Sequence, residues 1–135
     1  MTENGRIRAM EAARIIWKYA AVVDWERAGR DEVSSIIALK VSPERDFGYD
    51  KIAERIARFR EVRALRLVSG RYDFILLVKG KNMQDIARFV SEHIAPIDRI
   101  RETTTHFVMK TYKENCAGST IAWVRSAQPC YIVAE

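Results

Sequence analysis

The amino-acid sequence predicts an α+β fold, a four-stranded antiparallel sheet with two helices on one face, and three observations lead there. Along residues 33–113 the apolar patterns follow one another as strand, helix, strand, strand, helix, strand. The two middle strands are joined by a short turn containing Gly70, and the second half of the pattern repeats the first. A split double β-α-β unit of this kind is the ferredoxin-like sandwich, βαββαβ.

Each element has its own reason. Val33, Ile37, Leu39 and Val41 fall on alternate positions, with Ser34 and Lys40 on the other side, which describes a half-buried strand over Val33–Val41. Pro43 ends it. Tyr49, Ile52, Ala53 and Ile56 follow at i, i+3, i+4 and i+7, the apolar stripe of an amphipathic helix. Val62–Ser69 is a second strand rich in branched apolar residues. Gly70-Arg71 suits a two-residue type II′ hairpin, whose first central position needs a positive φ. Tyr72–Val78 is a third strand, and its nearly continuous apolar run predicts burial on both faces. Asn82 is an N-cap for a second helix that buries Met83, Ile86, Ala87, Val90 and Ile94, with Pro96 beyond its end. The last strand runs from Ile100 to Tyr112 through the β-branched run Thr103-Thr104-Thr105.

Two helices cover one sheet face only, so the other needs a partner. Ile36 and Leu65 are expected on that face as an apolar patch, which predicts a homo-oligomer built from sheet-to-sheet dimers. Outside this region Arg6–Ala13 reads as a short helix, Ile15–Val23 as a strand, and Asp24–Glu32 as a charged linker containing Gly29. The tail from Glu114 to Glu135 holds two apolar runs, Thr120–Val124 and Tyr131–Ala134, split by Pro129. An extra strand and a disordered tail are both open for it.

A chain of 135 residues, 48% hydrophobic and 30% charged, can bury a core without covalent staples. Cys116 and Cys130 stand in no metal-ligand spacing and read as reduced thiols. No secretory leader and no membrane-length apolar run is present, so a cytoplasmic location is expected. The net charge of +5 divides as zero over residues 1–32, +6 over 33–113 and −1 in the tail. A nucleic-acid-binding arm at the N-terminus would hold the excess itself. Much of the positive charge lies at Arg55, Arg58, Arg60, Arg63 and Arg66, where a solvated helix face with a Glu54–Arg58 pair accounts for part of it.

With the elements in place, residues 33–113 resemble the Lrp/AsnC ligand-binding domain along their whole length, most specifically in the hairpin SGRYDFILLV and the final strand IRETTTHFVMKTYK. Upstream, MEAARIIWKYAAVVDWERAG is similar to the stretch where these regulators leave the recognition helix, run through the wing and enter the linker. The resemblance thus divides the chain into a winged-helix remnant (1–32), an effector and oligomerisation domain (33–113) and a tail (114–135). Matched to that pattern, the sequence starts near the end of the recognition helix. Little or no specific DNA binding is therefore expected of this chain alone, and co-assembly with full-length relatives is one route to function.

The resemblance further implies an effector pocket between neighbouring dimers of a ring, at the hairpin Gly70, Arg71, Tyr72 and Asp73 and the strand facing it, with an amino acid as effector. Gly70 permits close backbone approach, Asp73 can accept from an α-ammonium, and Thr103, Thr104 and Thr105 offer hydroxyls. The plainer alternative is that Gly70 serves the turn, Tyr72 packs and Asp73 tops the strand. His93 and His106 have no ligand set around them and read as structural; no metal, cofactor or catalytic residue is expected. The rival function is a small ferredoxin-like enzyme, of the siroheme-decarboxylase or monooxygenase kind, because the fold alone supports both.

Overall fold

The computed structural model describes residues 2–42 and 48–114, and the backbone of 117–118. The chain divides into two units, Trp25–Tyr112 and Met1–Asp24 with Lys113–Glu135. In the first unit, β1 (Val33–Val41), α2 (Gly48–Ala57), β2 (Val62–Leu67), β3 (Phe74–Gly80), α3 (Met83–Phe89) and β4 (Ile100–Phe107) follow in that order; α1 (Glu3–Ala12) belongs to the second. The sheet order is β2-β3-β1-β4 with every neighbour antiparallel, the ferredoxin-like arrangement the sequence predicts.

Register decides which residues face the helices. Leu39 pairs with Phe74 and Thr103, Ile37 with Leu76 and Thr105, and Ser35 with Val78 and Phe107. Directly paired residues share a face, and this face meets Ile52 and Ile56 of α2 and Ile86 and Phe89 of α3 in one core. Each fully buried residue of this size contributes ~1.5–3 kcal/mol. Ser35, fully buried among them, stays satisfied by donating its hydroxyl to the Val78 carbonyl at 3.2 Å.

The Asn82 cap forms as expected, its side-chain oxygen accepting the Asp85 N–H at 2.8 Å. Two residues before it, a Cβ built on Gly80 would lie 2.9 Å from Cγ1 of the buried Ile86. Gly80→Ala is therefore expected to cost ~1–3 kcal/mol by overpacking, read as a lower urea midpoint. An unchanged midpoint would show that Ile86 has room to move aside.

Several expectations are corrected. α3 runs on into a π-helical turn, Val90–Ile94, and its buried stripe is Ile86, Phe89, Val90 and Ile94; Met83 and Ala87 are exposed. Ile86, Phe89 and Val90 stand at i, i+3 and i+4, so the buried face keeps the helical period and is turned towards Phe89 and away from Met83 and Ala87, on residues that precede the π turn. β3 begins at Phe74, and it alternates: Phe74, Leu76 and Val78 are buried while Ile75 and Leu77 are half-buried. The open sheet face thus bears on the single chain, as an antiparallel sheet allows. β4 ends at Phe107, five residues short of Tyr112. Leu65 pairs with Leu76 on the helix face, because the register shifts between Val62 and Ala64 and the bulge reverses the alternation. Ile36 does lie on the open face, 41% exposed, opposite Leu77 and His106. The Glu54–Arg58 pair forms at 3.1 Å between exposed side chains.

In the second unit, α1 starts earlier than expected, capped by the Thr2 hydroxyl, which accepts the Gly5 N–H at 3.2 Å. Residues 15–23 form no strand: they have no ladder partner among the described residues, and Ile15, Trp17 and Tyr19 are exposed. Alternation supplies the faces of a strand but not the neighbour that its N–H groups need. Lys113–Glu114 (β5) pairs with Ala117–Gly118 (β6) in a short ladder. Pro43, both cysteines and the two apolar runs of the tail lie outside the described residues.

Candidate functional site

The hairpin between β2 and β3 is wider than a two-residue turn. The Val68 N–H donates to the Asp73 carbonyl at 2.9 Å, which leaves Ser69–Tyr72 as the loop. Gly70 has φ of +129°, so the positive φ expected there is present, in a wider loop than type II′. Beside the turn, Tyr72 and Asp73 leave the chain towards opposite sides of the sheet.

Asp73 turns to the helix side. Its Oδ2 accepts the Val41 N–H at 2.9 Å and its Oδ1 the Tyr49 hydroxyl of α2 at 3.4 Å, while its own N–H donates to the Leu39 carbonyl at 2.9 Å. The carboxylate therefore closes the end of β1 where that strand leaves the sheet. Tyr49 stands edge-on to Phe74, ring centroids 5.9 Å apart. Its phenol titrates above the usual range, first through burial and then through the negative charge of Asp73.

Tyr72 turns to the open face. Its hydroxyl donates to Oε1 of Glu102 at 3.3 Å and lies 2.9 Å from the Thr104 hydroxyl. Glu102 and Thr104 pair with Lys40 and Ala38, so Tyr72, coming from the β3 side, reaches across β1 to β4. The small Ala38, level with Thr104 and 3% exposed, leaves space for that crossing. Arg71 completes the group: its guanidinium carbon is 5.6 Å from the Tyr72 ring centroid, and its Nη2 is 3.7 Å from Oε1 of Glu102.

Of the residues singled out in the sequence, the structure brings Arg71, Tyr72 and Thr104 together and places Gly70 in their loop. Thr103 and Thr105, paired with Leu39 and Ile37, face the helix side, as does Asp73. Glu102 was missed. Its signal is its spacing of two from Thr104 on one strand, which puts both on one face.

A depression of about 90 Å³ beside Glu102, lined by Ala95, Ile100, Arg101 and Thr103, is smaller than the roughly 300–1,000 Å³ of small-molecule pockets. A cavity of about 400 Å³ is an open groove between the far end of β3 and α3, rimmed by Lys79, Lys81, Arg88, Glu61 and Glu92. None of the hairpin residues lines it. His93 at its edge packs on Phe59 and Phe89, centroids 5.6 Å from each, and His106 is exposed on the open face. Among the described residues no three His, Cys, Asp or Glu side chains are grouped to hold a metal ion, and no helix is long and apolar enough to cross a membrane.

The family model of the Lrp/AsnC ligand binding domain matches residues 34–117. The chain is 42% identical over 110 residues to YugG, an uncharacterised HTH-type transcriptional regulator of Bacillus subtilis, covering 81% of this chain and 66% of that one. It is 30% identical over 112 residues to an uncharacterised HTH-type transcriptional regulator of Pyrococcus horikoshii, covering 83% and 68%. The chain thus spans about two thirds of the length of these curated relatives. Among solved structures, the complex of the Neisseria meningitidis transcriptional regulator NMB0573 with L-Met has a TM-score of 0.66 at 21% identity, covering 81% of this chain and 70% of that one. AsnC of E. coli has a TM-score of 0.63 at 21% identity, covering 80% and 70%. FFRP-DM1 has a TM-score of 0.52 at 23% identity, covering 57% of this chain and 99% of that one. At these identities the solved structures show a shared fold.

Proposed function

This chain belongs to the Lrp/AsnC ligand-binding domain family, and from that premise we propose that it senses a small molecule, a free amino acid, within an oligomeric transcription regulator of the cytoplasm. The observation that carries the reading is where the polar group lies. Within the family match, Arg71, Tyr72, Glu102 and Thr104 meet at the hairpin end of the open face, with Arg71 and Glu102 still open to solvent on the single chain. A site of this kind is completed by a neighbouring copy, as Gly70, Arg71 and Tyr72 of the hairpin with Thr104 of β4 would be in a ring of dimers. The L-Met complex of a protein with the same fold supports an amino acid as the ligand class, and the relatives' naming as transcriptional regulators supports a sensor over an enzyme.

Native mass spectrometry of the full chain with each of the twenty free L-amino acids tests this directly. The expected spectrum is an even-numbered oligomer that gains the mass of one amino acid per subunit for a small subset of the panel. A monomer that takes up none of them would overturn the reading.

A further inference from the structure

Resting on the effector reading above, we infer that Arg71 and Glu102, and not Asp73, take the two charged ends of the amino acid, and that the ion pair between them opens to admit it. Asp73 is the carboxylate the sequence offers for the α-ammonium, but both its oxygens are turned to the helix side, onto the Val41 N–H and the Tyr49 hydroxyl. A ligand arriving at the open face meets a different carboxylate. Glu102 is 43% exposed at its side chain, and Tyr72 fixes it through Oε1.

The partner charge is already beside it. At 3.7 Å Arg71 and Glu102 attract one another without a hydrogen bond, and Arg71 is 74% exposed. Such a surface pair contributes little to stability, so separating its members costs little. An α-amino acid presents the complementary charges in the complementary order. Its carboxylate matches the planar fork of the Arg71 guanidinium, and its ammonium matches Glu102. One loose pair is thereby replaced by two charge-assisted contacts, and the site stays neutral overall. Tyr72 holds both recognising groups in place, Glu102 by its hydroxyl and Arg71 over its ring.

This arrangement sets a substrate class. An α-keto acid would satisfy Arg71 and leave Glu102 facing a carbonyl, and a decarboxylated amine would satisfy Glu102 and strand Arg71. Both should bind more weakly than the zwitterion.

Calorimetric titration of the full chain tests it, using the tightest binder among the twenty L-amino acids, its α-keto acid, its amine and its N-acetyl derivative. Wild type is expected to prefer the amino acid by roughly tenfold or more over each analogue. Glu102→Gln should lose a similar factor for the amino acid and nothing further for the N-acetyl derivative. Arg71→Gln should lose it for the amino acid and not for the amine. The analogue series on wild type needs no variant to fold, and circular dichroism checks the two that are made. Wild-type affinity in both variants, or a loss confined to folded Asp73→Asn, would overturn the inference and leave the sensor reading standing. Wild type that binds no amino acid would overturn both.

Discussion

Ile36→Asp is expected to turn the protein from an oligomer into a folded monomer. Ile36 lies in the central strand β1, on the face that neither helix covers, and is 41% exposed in the single chain. Leu77 pairs with it, and Ile75 pairs with its neighbour on that face, Ala38, so the patch is apolar at its middle. A carboxylate there stays hydrated in the monomer and would be buried without a partner in a sheet-to-sheet dimer. An uncompensated buried charge costs ~3–5 kcal/mol, which weakens association by a factor on the order of a hundred to several thousand. Sedimentation velocity at micromolar protein, with circular dichroism on the same sample, reads both parts. Leu65→Asp is the control: on the helix face, packed against the core, it should unfold the domain instead. An Ile36→Asp protein that keeps the wild-type mass would place the interface elsewhere.

The contrast between those two residues shows where the sequence could be read and where it could not. β1 was legible to the residue, because Val33, Ile37, Leu39 and Val41 share one phase of a period-two pattern, with Ser34 and Lys40 in the other. The Asn82 cap was legible because its partner is three residues away. Leu65 was not. Counting alternate positions from Val62 puts it on the opposite face, and the bulge that returns it to the core depends on pairing with β3. Phe89 stands at helical spacing from Ile86, but which edge of the apolar stripe is buried depends on its contact with Phe59, thirty residues away. The site follows the same division. The hairpin and its positive-φ glycine were visible locally, but the partners that decide what Tyr72 and Asp73 do come from β1, α2 and β4, about 24–32 residues distant. Asp73 and Phe74 both turn to the helix side, a break in alternation that no local pattern announces.

Asp73 is therefore where a structural and a ligand-binding role can be told apart most sharply. Asp73→Ala removes the acceptor of the Val41 N–H and the partner of the Tyr49 hydroxyl together. Leaving a part-buried N–H without an acceptor costs ~1–3 kcal/mol, so the urea midpoint should fall clearly. Asp73→Asn keeps an oxygen for Val41 and should fall less. Alkaline titration provides a second, independent reading. The phenol of Tyr49 titrates above its unfolded value, because burial and then the charge of Asp73 both disfavour phenolate. A group of that kind lends stability that is complete below the unfolded pKa of about 10 and is lost as pH rises through the higher folded value. Wild type should thus weaken in strongly alkaline solution, and in Asp73→Ala the Tyr49 phenolate absorbance should develop at lower pH, since the second of the two causes is gone. If the urea midpoints of wild type and Asp73→Ala coincide, the carboxylate is not needed to close β1. It would then be free to turn outward, and the α-ammonium contact would pass from Glu102 back to Asp73.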